Sequence, residues 1–168
     1  MANTYTLIAS HTASGSTAQV DFNSIPQTYT DLLIKTSTND TSQNVLRIRF
    51  NSISSSDYTQ KVLRGTGSAA GSFSNAGWDT LTSFAPSYNN DGTSYFSNNE
   101  YYIPNYTSSN LKTISGDSVE EDNATAAYII LYAGLLNNTD AITSINLISQ
   151  TNNFVANSTF YLYGIKNS

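Results

Sequence analysis

Apolar and aromatic residues recur at every second position in one short segment after another, with turn residues between the segments. That period places successive side chains on opposite faces of an extended chain, so it builds strands, whereas a helix needs a repeat of about 3.6 residues. The clearest case is "VLRIRFN", Val45–Asn51, in which Leu46, Ile48 and Phe50 point one way and Arg47 and Arg49 point to solvent or to a partner. In "TYTLIAS", Thr4–Ser10, Tyr5 and Leu7 share a face, as do Val20 and Phe22 in "AQVDF", Ala18–Phe22. "YTDLLIKTST", Tyr29–Thr38, follows Pro26, which donates no ladder hydrogen bond and suits a strand start. "YTQKVLRG" ends at Gly65. Further strands are expected over Tyr95–Ile103, Leu111–Val119, Thr125–Leu136, Ile142–Ser149 and Thr159–Ile165. Between Gly65 and Ser94, where Gly, Ser and Asn dominate, the expectation is long loops around one short strand, Leu81–Ala85.

Two segments are apolar on both faces. "TAAYIILYAGLL", Thr125–Leu136, reads as a central strand covered on both sides. A buried helix is the rival reading, against which stand its β-branched and aromatic residues and the "NNTD" turn that follows. "TFYLYGI", Thr159–Ile165, places Phe160, Leu162 and Gly164 on one face and Tyr161, Tyr163 and Ile165 on the other, so it too is expected to be covered, by the domain itself or by a neighbouring subunit. About ten such strands without internal repeats predict an all-β, two-sheet antiparallel β-sandwich, with a jelly roll as the expected arrangement and a closed barrel as the alternative. No biased linker divides residues 1–168, which are read as a single domain with its own core.

Composition narrows the chemistry. The chain has no cysteine, which removes disulfides and thiolate metal sites and favours assembly in a reducing compartment. Charged residues make up 11%, and Ser, Thr and Asn supply 66 of the 168 residues, so solubility rests on hydroxyls and amides. The net charge is −5, and no basic run is present to bind phosphates, which argues against a nucleic-acid partner. The longest apolar run, Ala126–Leu136, is short of the about 20 residues a membrane helix needs, and "MANTYTLIAS" lacks the pattern of a secretion signal, so no membrane partner is expected.

Candidate catalysts are few. His11 is the only histidine, and its neighbours in "ASHTAS" are hydroxyls, so it reads as the end of the first strand. Without a second histidine or a cysteine, no zinc site is expected. "DSVEEDN" gathers Asp117, Glu120, Glu121 and Asp122, which read as a solvated hairpin end; a structural calcium is the alternative use of such oxygens. Glycoside hydrolysis would need two of Glu100, Asp117, Glu120 and Asp122 to converge on a cleft. No phosphate loop, dinucleotide fingerprint or nucleophile elbow is present. The expectation is therefore a non-enzyme without metal or cofactor.

Tyrosine, with twelve copies, is the abundant residue suited to contact. In "NNEYYIPNYTSSN", Asn98–Asn110, alternation sends Tyr101 with Ile103 to the core and leaves Tyr102 exposed. Tyr102 and Tyr106, together with Trp78 and Tyr88 in the Gly/Ser/Asn-rich region, are the candidate contacts for a partner or a glycan; a lid over one end of the sandwich is the alternative use of Trp78.

Taken in order, "DFNSIPQTYTDLLI", "VLRIRFN", "YTQKVLRG", "YYIPNY", "NATAAYIILYAGLL", "AITSINL" and "TFYLYGI" resemble a family of small virion structural proteins of tailed phages of marine and freshwater bacteria, cyanophages among them. The resemblance runs from about Tyr5 to Ile165. It implies a particle component, described variously as head decoration, tail or fibre-associated, and supplies no catalytic residues. The expected role is a capsid decoration (cement) protein on the virion surface, assembled in the bacterial cytoplasm. Its expected partner is the major capsid protein or another virion protein, and a trimer or dimer of its own copies is expected. The alternative is a tail-fibre tip or collar adhesin that binds host-surface glycan.

Overall fold

The structure, a computed structural model, describes residues 4–40, 45–82, 95–121 and 127–166. Twelve strands and no helix form among these residues. They are β1 (Tyr5–Thr12), β2 (Gln19–Phe22), β3 (Asp31–Thr38), β4 (Leu46–Phe50), β5 (Tyr58–Gly65), β6 (Ala70–Trp78), β7 (Leu81–Thr82), β8 (Ser97–Ile103), β9 (Lys112–Glu120), β10 (Tyr128–Leu136), β11 (Ile145–Ser149) and β12 (Thr159–Ile165). Every pairing between them is antiparallel. Eight strands form one sheet in the order β1-β12-β3-β8-β9-β10-β5-β6, and four form the other in the order β2-β11-β4-β7. The expected two-sheet sandwich is what forms. The finer expectation of a jelly roll is not carried by this uneven division, and the strands number twelve rather than about ten.

The period-two reading explains the core. β4 buries Leu46, Ile48 and Phe50 and leaves Arg47 and Arg49 half-buried, with Arg49 paired to Asp79. Opposite them the large sheet contributes Leu32 and Ile34 from β3, Tyr101 and Ile103 from β8, Ile130 and Tyr132 from β10, and Phe160 and Leu162 from β12. Gly116 on β9 lies in register between Tyr101 and Tyr132, whose rings meet edge to face at 6.0 Å. A Cβ there would come within 2.3 Å of the Glu100 carbonyl oxygen and 2.5 Å of the Tyr101 ring, so only glycine leaves room for the aromatic pair. The sheets are also tied by Tyr58 of β5, whose hydroxyl accepts the Phe50 amide of β4 at 3.0 Å and donates to the Ile53 carbonyl at 3.1 Å. Burial pushes this hydroxyl up to about 12. Lys112 is buried at the start of β9, its ammonium donating to the carbonyls of Ser108, Asn110 and Thr139 at 2.7, 2.6 and 3.1 Å.

Two expectations are corrected. The Gly/Ser/Asn-rich region holds a nine-residue strand, β6, rather than loops around one short strand. Its small and polar residues carry little strand propensity, and its pairing with β5 supplies the order. β10 is not covered on both faces: Ile130, Tyr132, Gly134 and Leu136 are buried, while Ile129 and Leu131 are exposed. β1 carries a bulge between Leu7 and Ala9, which turns both Ile8 and Ala9 toward the core and leaves Tyr5 and Leu7 outside.

Candidate functional site

A sheet of eight strands stacked on one of four can use only its inner face for the shared core. The large sheet therefore presents a broad outer face, and among the described residues every exposed large hydrophobic except Leu111 lies on it. Register fixes how those side chains are arrayed. Across the sheet, one row runs Leu7, Tyr163, Leu33, Tyr102, Ser115, Ala133, Lys61, Ser74. The next runs Ser10, Tyr161, Lys35, Glu100, Asp117, Leu131, Leu63, Ser72, and a third contains Thr159, Ser37, Asn98, Val119 and Ile129.

The face divides into two halves of different chemistry. On β1, β12, β3 and β8 it is aromatic, with Tyr5, Tyr102, Tyr161 and Tyr163 around the Lys35–Glu100 ion pair at 2.6 Å. The rings of Tyr161 and Tyr163 lie 6.4 Å apart and 27° from parallel. Beside them an open groove of about 420 Å³ is lined by Lys35, Ser37, Asn98, Glu100, Asp117 and both tyrosines, among others. The Lys35 ammonium is held above its ordinary value by its hydrogen bond to Glu100. On β9, β10 and β5 the face is aliphatic, with Val119, Ile129, Leu131 and Leu63 forming one cluster flanked by Asp117 and Lys61.

Of the residues singled out from the sequence, Tyr102 is on this face and exposed. Its hydroxyl donates to Asp31 Oδ2 at 2.7 Å, a bond that, with some burial, pushes the phenol up to about 12. Tyr106 is not a surface contact: it is fully buried, and its hydroxyl donates to the Pro26 carbonyl. The turn at Pro104–Asn105, with Asn105 at φ 47°, swings the chain back so that Tyr106 enters the core, where its own carbonyl accepts the Ile142 amide at 2.9 Å. Trp78 ends β6 opposite Tyr58, half-buried and packed against the core, rather than displayed from a loop. Tyr88 lies outside the described residues.

The acidic residues do not gather. Asp117 and Glu120 fall on opposite faces of β9, Glu120 buried inside, and Asp122 lies outside the described residues. Glu100 and Asp117 do stand in register on the outer face, with Glu100 committed to Lys35 and the groove between them open. Among the described residues no group of three or more His, Cys, Asp or Glu side chains is placed to hold a metal ion. His11 is the penultimate residue of β1, as expected, with its ring 6.3 Å from that of Phe160.

Sequence reasoning missed Tyr161, Tyr163, Leu63, Ile129 and Leu131 as surface residues. Alternation did set the tyrosines apart from Phe160 and Leu162, but apolar residues on both faces read as burial on both faces. The fold defines an all-β protein whose eight-stranded sheet turns one face to the shared core and the other away from the smaller sheet. In comparison with known proteins, the chain matches no family model and no curated relative.

Proposed function

We propose that this chain is a structural protein of a phage particle, a capsid decoration protein that sits in many copies on the outer face of the head shell. The observation that carries the reading is the outer face of the eight-stranded sheet, uncovered among the described residues and studded with exposed tyrosines and aliphatic residues. Such a face suits flat docking on another protein, because monomers rarely leave apolar patches of more than a few hundred Å² in water. The sequence resemblance to virion structural proteins supports the same reading. Many weak contacts on a lattice hold together by multivalency, so each copy needs only a modest interface.

The test mixes the purified chain with undecorated capsids of its phage and sediments them. Saturable co-sedimentation, with decorated shells outlasting bare ones on heating or at low ionic strength, is the expected result. Tyr5→Ala and Tyr163→Ala should weaken it. No co-sedimentation at any concentration would refute the decoration role.

A second reading, a host-surface adhesin, is favoured by the paired Tyr161 and Tyr163 rings beside the polar groove. Aromatic faces with hydrogen-bonding side chains at their rim suit the stacking and orientation of a sugar. Saturable binding on a glycan array, lost in Tyr161→Ala and Tyr163→Ala, would favour this reading over the first.

A further inference from the structure

We infer that the aliphatic half of the outer face is a self-association surface, on which a second copy of this chain packs about a two-fold axis. Val119, Leu63, Leu131 and Ile129 are 39%, 54%, 62% and 69% exposed. They adjoin one another by register: Val119 opposes Ile129, Leu131 opposes Leu63, and Ile129 and Leu131 alternate along β10. A shallow depression lined by Leu63, Leu131, Ala133, Phe73 and Lys61, among others, adjoins them.

The charges flanking this cluster point to a second copy as its occupant. Lys61 lies two residues along β5 from Leu63, and Asp117 lies on β9 directly opposite Leu131. They therefore occupy diagonally opposite corners around the leucine pair. Neither belongs to an ion pair among the described residues, where the pairs are Lys35–Glu100 and Arg49–Asp79. Strands about 4.8 Å apart and a rise of about 3.4 Å per residue put the two corners about 12 Å apart, too far to pair within one chain. A two-fold axis in the plane of the interface that exchanges the two corners runs between Leu131 and Leu63. It sets each Leu131 on the other copy's Leu63 and each Lys61 against the other copy's Asp117. One self-complementary patch thus gains a central apolar contact and two ion pairs from a single operation. A partner of different chemistry would not require opposite charges placed symmetrically about the leucines.

Geometry and area suit a weak, reversible dimer. The axis runs diagonally to the strands, so the two sheets cross at about 70°, nearer the orthogonal than the aligned mode of sheet packing. The four strands β9, β10, β5 and β6 make a strip about 19 Å wide, and two such strips crossing at about 70° overlap over about 380 Å² per copy. The total of about 800 Å² is the size of a weak contact, which fits a reversible monomer–dimer equilibrium. The aromatic half stays free, so the inference stands apart from the particle reading and its test needs no capsid.

Sedimentation equilibrium of the full chain over a range of concentrations tests it. The wild type should fit a reversible monomer–dimer equilibrium. Leu131→Lys, at an exposed position that leaves the core intact by circular dichroism, should raise the dissociation constant at least about tenfold. Lys61→Asp or Asp117→Lys alone should weaken the dimer by setting like charges together. The double variant Lys61→Asp/Asp117→Lys should bring it back to within about threefold of wild type, because the pair is restored in reverse. A wild type that is monomeric throughout overturns the inference. So does a dimer indifferent to Leu131→Lys, as pairing through the β6 edge would give, or a double variant no better than the singles.

Discussion

Replacing Asp31 by asparagine should loosen the turn after β8 and release Tyr102 in one step. Asp31 is buried at the start of β3, where its carboxylate accepts the Tyr102 hydroxyl at 2.7 Å and the Asn105 amide at 2.8 Å. A hydrogen bond to an ionised acceptor contributes about 1.5–3 kcal/mol net, and the lower end applies because the two share one carboxylate and water reaches Tyr102. Asparagine keeps one acceptor but turns an NH₂ toward the second donor, so about 2–3 kcal/mol should be lost. For a chain of this length that lowers the melting temperature by about 5–10 °C. Tyr102→Phe removes only one of the bonds, and the double-mutant cycle should show coupling of about 1 kcal/mol. The same pair predicts a pH effect. Tyr102 is pushed up to about 12, first by its bond to Asp31 and then by burial, above its ordinary value near 10. A raised folded-state value stabilises fully below pH about 10, and that share is lost as pH climbs through about 12. Spectrophotometric titration of wild type minus Tyr102→Phe isolates this phenol, and in Asp31→Asn it should ionise closer to 10. Strictly additive single variants, with the tyrosinate titration unmoved, would refute the reasoning.

Other positions give equally direct tests. Gly116→Ala drives a methyl into the Glu100 carbonyl and the Tyr101 ring, and should cost about 2–3 kcal/mol or more in chemical denaturation; an unchanged midpoint would contradict the packing described. Tyr58→Phe strands the Phe50 amide and the Ile53 carbonyl inside the sandwich, for an expected loss of about 1–3 kcal/mol by the same measurement. Lys112→Met leaves three carbonyls without their ammonium donor; a loss of about 2–4 kcal/mol is expected, with faster amide hydrogen exchange in the turn before β9.

Much of the strand order was legible because alternation is a local property. It separated Tyr101 from Tyr102 and Phe160 from Tyr161, and both separations hold. β6 escaped notice because "AGSFSNAGW" has almost no apolar stripe; it is an edge strand held by backbone bonding to β5, which any sequence can make. Tyr106 was misjudged because one residue with positive φ, Asn105, redirects everything after it, and a polar setting in the sequence does not reveal the direction.

By itself, then, the sequence determined that the chain forms antiparallel strands, which side chains share a face, and that no cysteine chemistry is open to it. Which of two apolar faces meets the core and which meets water was decided only in three dimensions. In β10 both faces carry large hydrophobics, and alternation treats them as equals. The distinction arises because eight strands pair into one sheet and four into the other, leaving the large sheet with an outer face that the small one does not cover. Hydrogen-bond pairing between segments distant in the chain sets those numbers, and so places Ile129, Leu131, Tyr161 and Tyr163 on the outer face.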